Sequence, residues 1–333
     1  MLSKSVKALI ALSLILVLAP IVYGHTPLFK GHGNHDIDSA LEISNPTKSW
    51  VLYRSLHEAG EPEYFSIELS GGQRLVLSLL TPLSEEEDFA PNLVVMGPAL
   101  SPSGRLPESM EVPEGYGAVL IEGVRTEPEY EPFSPGSYYF TAGFDLTVQD
   151  AGIYYAVVYE PDGDGRYGMA VGYREVFTLL EWLMVPFETI SIHQWEGQTL
   201  FFILAPIFFT LIIGIFLSWR AGIVRSPLGA TGVLSGLLFA GSGVYIMYQM
   251  GLALMSAPSG AALITLIFAL LPLALGFLIV KWVRDGLNVA SIMDRARLVV
   301  FGLLGFLFWA GFLLGPFLII LLGLFAPLNV ASE

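Results

Sequence analysis

The chain has 333 residues, 54% of them hydrophobic and only 14% charged, with no cysteine and a formal net charge of −14. The absence of cysteine excludes disulfides and thiol chemistry. Residues 25–196 carry 27 acidic against 8 basic residues, net −19, a field that repels nucleic acid and anionic headgroups, whereas residues 197–333 carry 3 acidic against 6 basic, net +3.

Residues 1–24 read as a signal peptide: Lys4 and Lys7, an apolar run from Ala8 to Ile21, then Val22-Tyr23-Gly24. Cleavage after Gly24 makes His25 the first mature residue. The alternative is an uncleaved anchor, giving a fifth span and a cytoplasmic amino terminus. His25, His32 and His35 follow in a short Gly-rich stretch. A terminal amine and ring at His25, completed by the other two imidazoles, form a candidate copper site. Met247, Met250 and Met255 are thioethers suited to Cu(I) near one end of a later span. Asn34, Asp36 and Asp38 alternate in the same stretch and offer oxygens to calcium if extended. Asp162-Gly163-Asp164-Gly165 is a second acidic turn, which ordinary turn chemistry accounts for. His57 and His193 read as structural or solvent-exposed.

Residues 25–175 read as an extracytoplasmic all-β sandwich. Tyr64–Leu69 alternates with period two, Ser70-Gly71-Gly72-Gln73 is a turn, and Arg74–Leu80 is a second strand, which together predict a hairpin. Further strands are expected at Asn92–Met96, Ala118–Glu122, Tyr138–Phe144, Asp145–Val148, Gly152–Tyr159 and Tyr167–Tyr173. Many short strands between Gly and Pro turns fit a sandwich.

The run Asn34-His35-Asp36, then Glu63-Tyr64-Phe65 with Leu69 and Gly72-Gln73-Arg74-Leu75, then Asn92-Leu93 and Pro98, then Ala151-Gly152-Ile153-Tyr154-Tyr155 and Tyr167-Gly168-Met169 resembles the bacterial pre-peptidase C-terminal domain family. The resemblance spans roughly residues 34–173. It implies a jelly-roll-like, non-catalytic accessory module that helps with binding or folding, sometimes with calcium. Glu63 stands where that family has Asp, residues 101–136 form a Pro- and Glu-rich insertion, and a membrane domain follows in place of a protease.

Residues 176–198 read as an interfacial amphipathic linker, rich in Trp and Phe. Pro186 and Glu188 argue against its being one helix with the first span. Residues 199–333 read as an all-α, four-helix transmembrane domain with spans at about 200–219, 229–255, 261–283 and 298–326, the last long enough for tilt or a break at Gly315-Pro316. Arg220 and Arg225, then Lys281, Arg284, Arg295 and Arg297, occupy alternate loops. The positive-inside rule therefore places those loops in the cytoplasm, and the sandwich and carboxyl terminus outside a multi-pass cell-membrane protein. The spans contain no Asp, Glu or His, which argues against a proton-coupled transporter. Their many glycines read as helix-packing positions.

No G-x-S-x-G, H-E-x-x-H, P-loop or nucleophile–base pairing is present, so an enzyme is not expected. The expected function is a membrane-anchored surface protein, touching lipid, whose acidic sandwich binds a protein or glycan partner or a divalent cation while its helices anchor it or meet other membrane subunits. A copper-handling protein and a channel or transporter subunit are the alternatives.

Overall fold

The computed structural model describes residues 25–29, 31, 33–108, 110–287 and 291–325. The signal-peptide expectation, His32 and the carboxyl-terminal tail lie outside them. Eleven strands form two sheets. β1 (Thr26–Leu28), β3 (Trp50–Leu56), β11 (Gly165–Val171), β5 (Arg74–Pro82), β9 (Gly136–Thr147) and β8 (Glu129–Glu131) lie side by side in the first sheet. β2 (Leu41–Glu42), β4 (Glu63–Leu69), β10 (Gly152–Tyr159), β6 (Asn92–Pro98) and β7 (Tyr116–Ile121) form the second. Period-two alternation gives each strand one inward row. Phe65, Ile67 and Leu69 of β4 meet Leu75, Leu77 and Leu79 of β5 in the core between the sheets, all 2% exposed or less.

That arrangement corrects the hairpin predicted for β4 and β5. β4 pairs with β2 and β10, and β5 with β9 and β11, so residues 70–73 carry the chain across the core from one sheet to the other. Gly72 at φ +84° makes the reversal, and its N–H donates to Val148 O at 2.8 Å. A hairpin would have placed both apolar rows in one sheet; facing each other, they bury one another.

β3 escaped the sequence reading because Arg54 interrupts its apolar run. Arg54 is buried, and its guanidinium donates to Glu63 (Nε to Oε2 at 2.9 Å, Nη2 to Oε1 at 2.5 Å) and to Asn34 Oδ1 at 2.5 Å. Tyr167 O–H also donates to Glu63. Within residues 101–136, Leu106 and Met110 cover the second sheet's outward face against Tyr64, Met96 and Tyr159.

Helix α1 (Leu179–Trp195) lies against the outward face of the first sheet, with Trp195 packed among Val51, Leu80 and Tyr138. Thr178 caps it through a reciprocal box with Glu181, and Glu181 also pairs with Lys48 at 2.5 Å. The helix runs through Pro186 and ends only after Trp195. Proline has no N–H for the carbonyl four residues back. That carbonyl, of Trp182, instead accepts from Trp309 Nε1 at 2.7 Å.

Among the described residues, three helices are long and apolar enough to cross a membrane: α2 (Leu200–Arg220), α3 (Pro227–Ser256) and α4 (Ala262–Arg284). α3 and α4 approach through glycine: a Cβ on Gly276 would lie 2.4 Å from Gly236 O and 2.6 Å from Ala240 N. The fourth apolar segment is two shorter helices, α5 (Ile292–Leu307) and α6 (Leu314–Phe325). They run antiparallel, since Arg295 Nη1 donates to Leu324 O at 3.2 Å while Gly302 faces Pro316 and Ile320. This corrects the single span at 298–326. The break falls at residues 308–313, ahead of Gly315-Pro316. Pro316 sits in the first turn of α6, where a missing N–H costs nothing. Trp309, Phe312 and Leu313 all take positive φ in the reversal, and Gly311 N–H donates to Ser242 Oγ at 2.9 Å.

Candidate binding site

The sheet domain is docked on the helices rather than tethered to them. Tyr130 and Thr265 share a hydrogen bond at 2.6 Å, Ser137 Oγ donates to Ala253 O at 2.9 Å, and Trp195 Nε1 donates to Arg54 O at 3.0 Å. Tyr138 O–H donates to Glu196 Oε1 at 2.5 Å, and Glu196 Oε2 faces His193 Nδ1 at 2.7 Å. Gln198 and Gln249 exchange reciprocal amide hydrogen bonds at 2.9 and 3.0 Å. His193 is fully buried, T-shaped against Tyr245; its Nε2 and the Tyr245 hydroxyl have no protein partner.

Beside this network, the first sheet, α1 and the α5–α6 reversal enclose a cavity of about 90 Å³. Its walls are mainly apolar: Val51, Leu80, Phe140, Val185, Ile192 and Trp309 contribute. Two acidic residues line it, Glu131 from β8 and Glu188 from α1, and among the described residues no Lys or Arg does. Burial raises the pKa of Glu131 to about 7, opposed by the Phe133 N–H that its Oε1 accepts at 3.0 Å and assisted by Glu175. Burial likewise raises Glu188 to about 7, with Glu181 adding to the rise and Lys48 opposing it. The Oε2 atom of Glu188 is buried with no hydrogen-bond partner. Tyr53 and Tyr138, also on the wall, are pushed well above the usual phenol range, by burial first and by the surrounding carboxylates second. An apolar pocket with a few convergent polar groups of perturbed pKa is the usual form of a small-molecule site.

The residues singled out from sequence are dispersed. His25 lines this cavity with its ring on Ser49 Oγ at 2.5 Å, and burial lowers its pKa. His35 lines a different cavity and faces Glu61 at 3.2 Å. Asn34 is buried, donating to Tyr64 O at 2.9 Å and accepting from Arg54. Asp36 accepts from Ser39 N–H at 2.7 Å in a local turn, and Asp38 is exposed. Among the described residues, no three His, Cys, Asp or Glu side chains gather closely enough to hold a metal ion. Asp162 and Asp164 line an open cleft of about 570 Å³ at one end of the sheets, together with Glu86, Asp88, Glu160 and exposed His57. Glu131 and Glu188 were missed. The one sequence signal for Glu188 is a carboxylate midway along a largely apolar helix, away from the first turn where Glu181 caps it; nothing local marks Glu131.

The sequence matches no protein-family model and no curated protein.

Proposed function

We propose that this chain is a membrane-anchored, non-catalytic binding protein that receives a small amphipathic ligand in the cavity between its β domain and its helices. The observation that carries this reading is the apolar cavity with two inward carboxylates, walled on one side by the sheet and on the other by α1 and Trp309. The basic residues Arg220, Arg225, Lys281, Arg284, Arg295 and Arg297 cluster in the loops and helix ends away from the sheets. That distribution supports an extracytoplasmic β domain. The cavity then sits at the lipid–water boundary, where α1 also exposes Leu179, Leu180, Met184 and Phe187. Antiparallel α5 and α6 bring Phe325 back to the end where α5 begins, which supports a cytoplasmic carboxyl end of α6 in place of the outside tail expected from a single fourth span. The resemblance to an accessory sandwich fits a module that binds rather than catalyses.

The test is photolabelling in lipid nanodiscs. Alkyl probes with a diazirine beside an amine, alcohol or carboxylate head are compared on the native chain and on Thr189→Trp, which fills the cavity. Labelling of residues 185–192 that Thr189→Trp abolishes is expected for at least one head group. Equal labelling of both proteins by all three would refute the reading.

A second reading keeps the surface-assembly role. The open cleft with Glu86, Asp88, Asp162 and Asp164 favours a basic protein partner. Stoichiometric co-purification of such a partner, lost on neutralising these four residues, is its test.

A further inference from the structure

The cavity's chemistry narrows its ligand, given the reading above that it is a binding site. We propose that the ligand is a cationic amphiphile, a long-chain molecule with a single ammonium head, which enters from the lipid boundary with its head in the cavity that Glu131 and Glu188 both line, against the unpartnered Glu188 oxygen, and its chain trailing past α1.

Size limits what enters. A 90 Å³ cavity is smaller than the ~150 Å³ engineered cavity that holds benzene, so it admits a head group and its first few carbons rather than a whole lipid. The rest of the ligand must lie outside, and Met184 and Phe187, next in sequence to Val185 and Glu188 on the wall, are exposed and apolar.

Charge sets the head group. The two carboxyl groups on the wall are brought in by separate elements, and one of them, Glu188, keeps a buried oxygen without any protein donor. A donor that also carries positive charge answers both conditions, and an ammonium supplies three N–H groups. Among the described side chains, rival cations are engaged elsewhere. Lys48, which acts on Glu188, is held by Glu181 at 2.5 Å, and the His25 ring is held by Ser49 and disfavoured as imidazolium by burial. Among the described residues, the remaining titratable groups around the cavity are Tyr53, Tyr138, Glu175 and Glu196, none of which supplies positive charge. An anionic head would face net repulsion, and a neutral hydroxyl would meet one acceptor without the Coulomb term.

Protonation follows from the same geometry. With both carboxylates raised to about 7, the empty cavity holds part of its protons at neutral pH, and an ammonium must displace them. An alkyl amine keeps its charge up to about pH 10. Its affinity therefore rises from pH 5.5 to pH 8, while that of the matching alcohol does not.

The experiment uses the full chain in nanodiscs with three C12 probes of identical chain, each carrying a diazirine beside its amine, alcohol or carboxylate head. At pH 8 the amine is expected to half-saturate labelling of the cavity at roughly tenfold or more lower concentration than the alcohol, the scale of one charge-assisted hydrogen bond. That preference should vanish at pH 5.5 and in the Glu131→Gln/Glu188→Gln double variant, which keeps the shape of both side chains. Alcohol and amine labelling alike at pH 8 would overturn the cationic assignment and leave the cavity reading standing. Carboxylate labelling best would overturn it too. Labelling by none of the three would sink the cavity reading itself. If the double variant fails to fold, the pH dependence of the amine-to-alcohol ratio on the native chain decides the matter alone.

Discussion

Trp195→Ala is the sharpest perturbation of the contact between the β domain and α1. The side chain is 9% exposed, meets Tyr53 edge-on at 4.8 Å and Tyr138 at 6.1 Å, and donates to Arg54 O at 3.0 Å. A buried tryptophan removes ~200 Å² from water, worth about 5 kcal/mol at ~25 cal/mol per Å², and the hydrogen bond adds about 1 kcal/mol. Part of that loss is recovered by relaxation, so about 4 kcal/mol is expected, within the range for Trp→Ala substitutions. Trp195 belongs to the outward face of the first sheet and not to the core between the sheets. The loss therefore falls on docking. Hydrogen exchange followed by mass spectrometry on the chain in nanodiscs should show amides of α1 from Phe187 to Trp195 exchanging about a thousandfold faster, since each 1.4 kcal/mol is tenfold. Amides of β4 and β10 should stay within threefold of their original rates. Trp195→Phe, which keeps most of the area, should cost about 1–2 kcal/mol. Unchanged exchange in α1 would refute the reasoning, as would β4 and β10 opening together with α1, because Trp195 would then support the sandwich itself.

Three further outcomes are expected. The chain has no cysteine, so single cysteines report sidedness directly: Ser226→Cys and Phe325→Cys should react with an impermeant maleimide from one side of the membrane, and Asp38→Cys and Ser259→Cys from the other. Phe325→Cys grouping with Ser259→Cys would overturn the antiparallel α5–α6 pair. Gly276→Val places side-chain atoms against the backbone of Gly236 and Ala240 and should cost at least ~1–3 kcal/mol through overpacking, read as a lower midpoint of thermal unfolding in detergent; an unshifted midpoint would show that α3 and α4 do not approach there. Glu131 has a folded pKa of about 7, above its unfolded value, so the folded state holds the extra proton. The stability it contributes is present at low pH and lost as pH rises from about 4.5 through 7, by at most ~3 kcal/mol. Glu131→Gln should flatten that part of the pH profile of docking, and an unaltered profile would contradict a buried carboxyl at this position.

Hydropathy located α2, α3 and α4 because lipid demands long apolar runs, and it located β4, β5, β6, β10 and β11 because one-sided burial leaves a period of two. It failed where long-range partners decide. Residues 298–326 are apolar throughout; the reversal at 308–313 is held by Ser242 and by the Trp182 carbonyl that Pro186 leaves vacant, neither of which is local. The 70–73 turn looks the same whether it joins neighbours in one sheet or crosses between sheets. Arg54 hid β3 because its counter-charge, Glu63, lies on β4 in the other sheet. The candidate site was hidden for a related reason. Glu131 and Glu188 are far apart in sequence and reach one cavity only when α1 is laid on the sheet, whereas the clustered His25, His32 and His35 drew notice through adjacency alone.

The left-handed reversal at Trp309 carries an implication for biogenesis. α6 has 12 residues, ~18 Å of helix, too little for a machine that sorts segments by length and greasiness to retain in a bilayer. It must be captured by α3, through Ser235 Oγ donating to Gly315 O at 2.8 Å and Gly311 N–H donating to Ser242 Oγ. Only then does Trp309 reach the Trp182 carbonyl. The β domain leaves the ribosome first and can fold while the helices are still being made, yet the floor it rests on is finished by residues translated more than a hundred codons later. A nascent chain halted between α4 and α5 would thus hold a complete sandwich with an unsealed cavity, open on the side that Trp309 closes.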